Sequence, residues 1–306
     1  MFCSTIIPTV GRPSLTRAVQ TVLEQEAPFA FELIVVDDGK RPLPPAAWQQ
    51  SPQVQVIKTQ QRERGAARNA GAAVARGEYL HFLDDDDWLA AGGLAVLQAA
   101  AQRRPEAALV YGAAQLVDRQ GQPLIRLAPA LRGNVLAQTL AGEWLPLQAS
   151  LVRADVFWEI GGFDPLIPGI EDMDLLRRLA LVGEVDSTPE LAAFVGMGEE
   201  DSTTDQTGAR LLGQAARERI FEDGRAWARL WASADSAYWR GRIARAYLTS
   251  AVWNGRRGFG ATAVSRALWG GVAAVRALPD WGRRPYWRAL LHAHEGVAFV
   301  QGRADG

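Results

Sequence analysis

Residues 77–93 read GEYLHFLDDDDWLAAGG. An apolar, strand-like run over Tyr79–Leu83 stops at four consecutive carboxylates, Asp84, Asp85, Asp86 and Asp87. Like charges this close repel one another, so the stretch raises the question of what offsets them. Upstream, CSTIIP (3–8) is a short apolar run closed by Pro8. LTRAVQTVLEQ (15–25) then places Leu15, Val19, Val22 and Leu23 at helical spacing behind Ser14, a residue suited to an N-cap. FELIVVDDGK (31–40) is a continuous β-branched run ending in Asp37, Asp38 and Gly39, the pattern of a strand buried on both faces of a parallel sheet. VQVIK (54–58) repeats that pattern more weakly, and the alanine-rich RGAARNAGAAVARG (64–77) predicts a helix despite Gly65 and Gly71. The β-α-β-α-β order implies an α/β, doubly wound sheet that binds its ligands at the carboxyl ends of the strands. If the strands ending at Asp37–Asp38 and at Asp84–Asp87 are neighbours, both acidic groups face one crevice.

The chain has 306 residues, 48% of them hydrophobic and 22% charged, which is globular composition large enough for one big domain or a domain with an appendage. The single cysteine, Cys3, excludes an internal disulfide and a multi-cysteine zinc site. No run reaches the ~18 apolar residues of a membrane span, and the N-terminus lacks a signal-peptide layout, so the expected location is the cytoplasm. The net charge of −1 conceals an asymmetry: residues 207–306 carry 16 Arg and 7 acidic residues, a balance of +9 that leaves −10 for residues 1–206. The expected division follows the charge, a catalytic domain over 1–206 and a helical, Trp- and Arg-rich region over 207–306.

For Asp84–Asp87 two readings stand side by side. One is a solvated turn whose last members cap a helix WLAAGGLAVLQAAAQRR (88–104), where a carboxylate near the N-terminus gains roughly 0.3–1 kcal/mol. The other is a Mg²⁺ or Mn²⁺ site, because all-oxygen carboxylate sets suit hard cations and a metal turns repulsion into binding. Such ions are held by one or two carboxylates plus substrate phosphates, so a phosphorylated ligand is the natural partner. Arg68 is then either a surface arginine or a bidentate phosphate donor. A second cluster lies in GGFDPLIPGIEDMDLLRRLALVG (161–183), where Glu171, Asp172 and Asp174 open a helix. They read as first-turn acids facing the helix dipole, or as carboxylates delivered into a pocket by the loop around Gly161, Gly162 and Pro165, one of them a general base.

Taken together, STIIPTVGR (4–12), FELIVVDDG (31–39), RGAARNAG (64–71), GEYLHFLDDDDW (77–88) and GGFDPLIPGIEDMDLLRRL (161–179) resemble, in order, the motifs of a family 2 glycosyltransferase. The resemblance implies the GT-A fold, a Rossmann-like, doubly wound mixed sheet, here with a C-terminal helical appendage. It implies that Pro8, Thr9 and Arg12 border the nucleotide, that Asp37 and Asp38 hold the base, and that Arg68 lies near the sugar or diphosphate. Asp84 and Asp86 match the outer members of the family's Asp-x-Asp motif around Asp85, with Asp86 the direct ligand of Mn²⁺ or Mg²⁺. Asp172 matches the catalytic base and Glu171 the residue beside it that touches the acceptor. The implied reaction is an inverting transfer of a sugar from a nucleoside-diphosphate sugar, foremost a UDP-sugar, to a hydroxyl of a glycan or lipid-linked acceptor, as in polysaccharide biosynthesis. One departure bears on it. In FVGMGEEDSTT (194–204), Val195 and Met197 stand where many members carry Arg and a metal-contacting His. That departure keeps open a sugar-nucleotide-binding protein without turnover. A phosphatase or nuclease, and a nucleotidylyltransferase, fit the motifs less well, and PTVGRPS (8–14) lacks the Gly-rich phosphate cradle of the last class.

Residues 207–306 hold seven of the eleven tryptophans, and the stretch 238–280 reads as two helices around a Gly-rich turn, faintly similar to one tetratricopeptide hairpin. Aromatics at helical spacing are expected to pack as core, with peripheral attachment to the inner face of a membrane as the alternative. Nucleic acid is not an expected partner, because the basic residues form no recognised motif. His292 and His294 diverge on a helix and make no expected metal pair.

Overall fold

The computed structural model describes residues 2–60, 63–128, 131–140, 142–197, 206–233 and 237–291, except for the side chains of 206–211 and 214. His292, His294 and residues 198–204 lie outside the described residues. The chain divides into two compact units, residues 1–133 with 145–212, and residues 134–144 with 213–306.

The first unit is built on one mixed sheet. Strands β1 (Cys3–Thr9), β2 (Phe31–Asp37), β3 (Val54–Lys58) and β4 (Tyr79–Phe82) form a parallel block in the order β3-β2-β1-β4. β1 and β2 are buried along their whole length, as their unbroken apolar runs require. Two connecting helices precede the acidic run: α1 (Leu15–Leu23) between β1 and β2, and α2 (Arg64–Val74) between β3 and β4. The two acid-ended strands, β2 and β4, are not the direct neighbours that the expected shared crevice required, because β1 lies between them; the register Thr9↔Asp37 and Ile6↔Phe82 still puts the carboxyl ends of all three at one edge of the sheet. α2 lies close to the sheet because Gly71 faces Ile6 and Val36, where a Cβ would come within 2.5 Å and 2.9 Å of their Cγ2 atoms. One turn earlier on the same face, the Arg68 side chain is carried under the strand ends.

The sequence predicts a helix directly behind the aspartates, and here the structure differs. Trp88–Leu89 form a short strand, β5, and helix α3 (Gly93–Arg103) begins only after Gly92, whose φ is +70°. Tertiary contacts capture these residues: the Trp88 ring stacks on Phe194 at 5.3 Å and carries the Arg17 guanidinium at 3.6 Å, while the Ala90 N–H donates to the Ala192 carbonyl. Asp84–Asp87 therefore cap no helix. Ser14 likewise precedes α1 without a side-chain cap, its carbonyl accepting instead from Arg17 and Ala18.

The sheet continues through β6 (Leu109–Val117), β7 (Pro123–Leu127), β8 (Ser150–Arg153) and β9 (Val185–Gly196). Antiparallel β8 joins β4 to β6; β9 runs parallel to β6 and antiparallel to β5. α5 (Ala154–Glu159) and α6 (Glu171–Val182) flank the loop 161–170.

The second unit is helical: α4 (Leu136–Leu140), α7 (Gln206–Glu222), α8 (Ala226–Ser233), α9 (Ala237–Arg256), α10 (Gly260–Arg276) and α11 (Arg284–Leu291), with the first residues of α7 counted to the other unit. The expected helix pair around a Gly-rich turn is α9 and α10. The tryptophans divide. Trp227 stacks on Phe221 at 4.6 Å and Tyr247 at 4.4 Å and Trp239 is buried, whereas Trp269, Trp281 and Trp287 are exposed. Only part of the aromatic set is core.

Candidate active site

The centre of the site is one buried guanidinium. Arg68, 1% exposed, donates through one terminal nitrogen to Asp172 Oδ1 at 2.6 Å and Glu171 Oε1 at 3.2 Å, and through the other to Asp84 Oδ1 at 2.6 Å. Burial alone would lower the pKa of Arg68, but attraction to Asp172, Asp84 and Glu171 wins and raises it. It stays charged. Arg64, one turn earlier and exposed at the edge, adds a second cation 3.7 Å from Asp84 and 3.6 Å from Glu171.

The two carboxylate clusters that the sequence showed 84 residues apart are thus joined by Arg68 in space. Loop 161–170 makes this juncture. Gly161 and Gly162 take φ of +82° and +68°, and the Asn69 side chain clamps Phe163, accepting from its N–H at 2.9 Å and donating to its carbonyl at 2.8 Å. The Phe163 ring is buried edge-on against Phe82 at 4.9 Å. The loop is therefore fixed to α2 and β4, and α6 starts where its first residues meet Arg68. Asp174 takes another part: its Oδ2 accepts from Arg178 at 2.7 Å, and Arg178 donates to the Ile160 and Gly162 carbonyls, holding the loop's base.

The four aspartates occupy four environments. Burial raises the pKa of Asp84, but Arg68 and Arg64 outweigh it and lower the net value; Gln148 also donates to its Oδ2 at 3.3 Å. Asp85 accepts from Thr9 Oγ1 at 2.6 Å and from Arg12 at 3.3 Å, and burial raises its pKa to about 6 against those two contacts. Asp86 is more open, pairs with Arg12 at 2.9 Å, and is raised by burial and by Asp84. Asp87 is buried, accepts from the Gly196 N–H at 2.8 Å, and is raised well above the carboxylate range by burial and by the charges of Asp84 and Asp86. One oxygen from each of Asp84, Asp86 and Asp87 lies within 4.8 Å of the others, a spacing one divalent cation can span. Three buried polar atoms at the same juncture, Arg68 Nε, Gln148 Oε1 and Glu171 Oε2, have no hydrogen-bond partner among the described residues. An acidic set that raises the pKa values of its own members suits an added cation.

Beyond the strand ends, Asp37 accepts from Lys58 at 2.8 Å and from the Gly39 N–H, and Asp38 accepts from Thr59 Oγ1 at 2.7 Å. Pro8 pairs in register with Val36 on the strand that ends at Thr9. Asp172 has its pKa raised to about 6: burial raises it, Arg68 opposes, and Glu171 and Asp84 add to the rise.

Sequence reasoning gave no functional part to Arg64, Asn69 or Gln148, and assigned Asp87 no individual role within the Asp84–Asp87 run. Asp87 had a signal, the fourth place in the run, but the predicted helix start absorbed it; Gln148 had none, since it reaches the site from a short 3-10 turn (Leu147–Ala149) ahead of β8. The departure at residues 195 and 197 takes physical form. Val195 belongs to the apolar core, and Met197 is half exposed just after Gly196, whose N–H serves Asp87.

Comparison with known proteins bears on the family and the fold. Residues 4–141 match the family described as Glycosyl transferase family 2. An uncharacterized glycosyltransferase of Haemophilus influenzae is 28% identical over 183 residues, 58% of this chain and 61% of that protein. The O-antigen biosynthesis protein RfbC of Myxococcus xanthus is 28% identical over 156 residues, 49% of this chain and 12% of that protein. The chain thus spans less than two thirds of either relative. Among solved structures, S. aureus TarS 1-349 in complex with UDP-GlcNAc superposes with a TM-score of 0.61 at 16% identity, covering 77% of this chain and 71% of the other. At that identity the likeness establishes the shared GT-A fold.

Proposed function

Because the chain carries a family 2 glycosyltransferase domain on a GT-A fold, we propose that it is an inverting, metal-dependent transferase moving a sugar from a nucleoside-diphosphate sugar to a hydroxyl of a glycan or lipid-linked acceptor. The observation that carries this reading is the Arg68 bridge, which sets Asp172 beside the strand-end carboxylates within one hydrogen-bonded group. In it Asp172, ionised above about pH 6, takes the acceptor proton as the oxygen attacks the anomeric carbon. Arg68 orients Asp172 through Oδ1 and keeps it from staying protonated at neutral pH. Glu171 offers its second oxygen to the acceptor. Asp86, with Asp84 and Asp87, holds Mn²⁺ or Mg²⁺, which when bound neutralises charge on the leaving diphosphate. Pro8, Thr9, Arg12 and Asp85 border the nucleotide, Asp37 and Asp38 hold its base, and Arg68, with Arg64 at the open edge, faces the sugar side.

A UDP-sugar is the foremost donor, since TarS was solved with UDP-GlcNAc. The O-antigen biosynthesis relative supports a polysaccharide acceptor. Cytoplasmic placement belongs to the same reading and agrees with Cys3 being a buried free thiol. Val195 in the core and Met197 beside the cluster favour a second reading, nucleotide binding without turnover.

Two variants separate the readings. Asp172→Asn should lower transfer, or slow UDP-sugar hydrolysis, by about 10²–10⁴-fold while nucleotide affinity by calorimetry stays near wild type. Asp86→Ala should lower both turnover and metal-dependent affinity. Near-normal turnover by Asp172→Asn would remove Asp172 as the base, and nucleotide binding with no turnover by the wild type would favour the second reading.

A further inference from the structure

Helix α10 is packed the wrong way round for a helix that faces only water. Its inner side is sunk against α9, with Arg266, Gly270 and Ala273 buried and Gly270 close enough that a Cβ would stand 3.3 Å from Leu248 and Tyr247. At 100° per residue the opposite side carries Val264, Leu268, Val272 and Val275, exposed by 38–66%. A surface helix places polar residues there. Phe259 before the helix, Leu278 after it, and Leu248 and Val252 on the neighbouring α9 are further apolar residues exposed by 46–56%. Isolated exposed apolar residues need no explanation, but a contiguous face about three turns long marks a surface that something covers.

The charge around the stripe identifies the occupant. Residues 237–291 contain ten arginines and one acidic residue, Asp280, which is buried and held by Arg240 and Arg283. Arg256 ends α9 and Arg257 stands in the turn before α10, Arg276 is the last residue of α10, and Arg283, Arg284 and Arg288 follow, all exposed. Two tryptophans complete the rim. Trp287 Nε1 donates to the Trp281 carbonyl and Trp281 Nε1 to that of Ala274, so both polar tips are satisfied by backbone while both rings stay exposed. A second copy would bring two equally cationic surfaces together and meet repulsion. An anionic lipid surface offers apolar depth for the valines and leucine, headgroup phosphates for the arginines and an interfacial layer for the indoles.

We propose that the outer face of α10 lies in the headgroup region of an anionic bilayer, as an in-plane amphipathic helix. It does not span: no helix among the described residues is long and apolar enough to cross a membrane, and α10 has 17 residues. This inference goes beyond the transferase reading and stands apart from it, because it concerns adsorption and not turnover.

The test is flotation of the full chain with vesicles of equal parts phosphatidylglycerol and phosphatidylcholine, and with phosphatidylcholine alone. The wild type should float with the anionic vesicles and far less with the neutral ones. Leu268→Asp, at an exposed position that leaves thermal unfolding unchanged, should weaken anionic-vesicle partitioning about tenfold or more. Arg256→Gln with Arg257→Gln should weaken binding to anionic vesicles only. No flotation of the wild type, or flotation indifferent to Leu268→Asp, would overturn the proposal. So would a dimer in analytical ultracentrifugation that Leu268→Asp dissociates, since a second copy would then own the face.

Discussion

At the scale of single residues, the site is a problem of surplus negative charge under a low dielectric. Arg68 meets three carboxylates, and Asp86 and Asp87 add two more within reach of Asp84. A buried ion group of this kind is held by mutual attraction against desolvation, so surplus carboxylates shift their own protonation. Asp85 and Asp172 are raised to about 6, and Asp86 and Asp87 are raised as well. The sign follows. A carboxylate whose folded pKa is raised above its unfolded value near 3.8 contributes stability at pH below 3.8, and that contribution is lost as pH rises through about 6. Above that pH the ionised cluster weighs against the folded state until a cation offsets it. Without metal, thermal stability should therefore decline between pH 4 and pH 6; Asp84, shifted the other way, changes its contribution below about 3.8, outside that window. Saturating Mn²⁺ should raise the melting temperature more at pH 7.5 than at pH 5, because metal binding needs the carboxylates deprotonated. Equal shifts at both pH values would contradict the Asp84–Asp86–Asp87 site.

At the scale of elements, α2 positions the site through what it lacks. Its buried residues are Gly65, Ala67, Gly71 and Ala72 around Arg68, and small side chains let the helix approach β1 and β2 closely enough for the guanidinium to pass under the strand ends. Gly71→Ala would set a methyl 2.5 Å from Ile6 Cγ2 and 2.9 Å from Val36 Cγ2, both in the core. The helix must then move outward. The expected cost is about 1–3 kcal/mol by urea unfolding, together with weaker metal-dependent nucleotide binding because Arg68 moves with α2. Unchanged stability and affinity would show that the close approach is not required.

At the scale of the molecule, the second unit takes residues from the middle of the chain as well as its end. Asn134 donates to the Arg229 carbonyl at 2.8 Å, Ser233 Oγ accepts from the Ala137 N–H at 2.9 Å, and Val135, Leu136, Ala137 and Leu140 are at most 2% exposed. Deleting residues 207–306 would uncover these four and leave the Asn134 side-chain amide and the Ala137 N–H without these acceptors. The fragment 1–206 should partition into the insoluble fraction or bind a hydrophobic dye strongly. A soluble fragment with one cooperative unfolding transition would show that residues 134–144 find another resting place.

The sequence by itself determined the alternation of strands and helices, the crevice at the strand ends and the motifs of the family, because these are written in local periodicity and in short runs: FELIVVDDG can hardly be anything but a buried strand delivering acids to its carboxyl end. It also showed the two carboxylate clusters, yet it left each with a helix-cap reading as well as a catalytic one. The tertiary structure removed that reading for Asp84–Asp87, since stacking of Trp88 between Phe194 and Arg17 defers the helix to Gly93. It also joined Asp84 to Asp172 through Arg68 and recruited Gln148, contacts that bridge 16, 104 and 64 residues of sequence. Such contacts leave no periodic trace, because a charge buried in a shared site answers to whatever the fold brings beside it. The outer face of α10 is the converse case: the composition showed Arg and Trp together, but only packing against α9 could say which apolar residues were left facing outward.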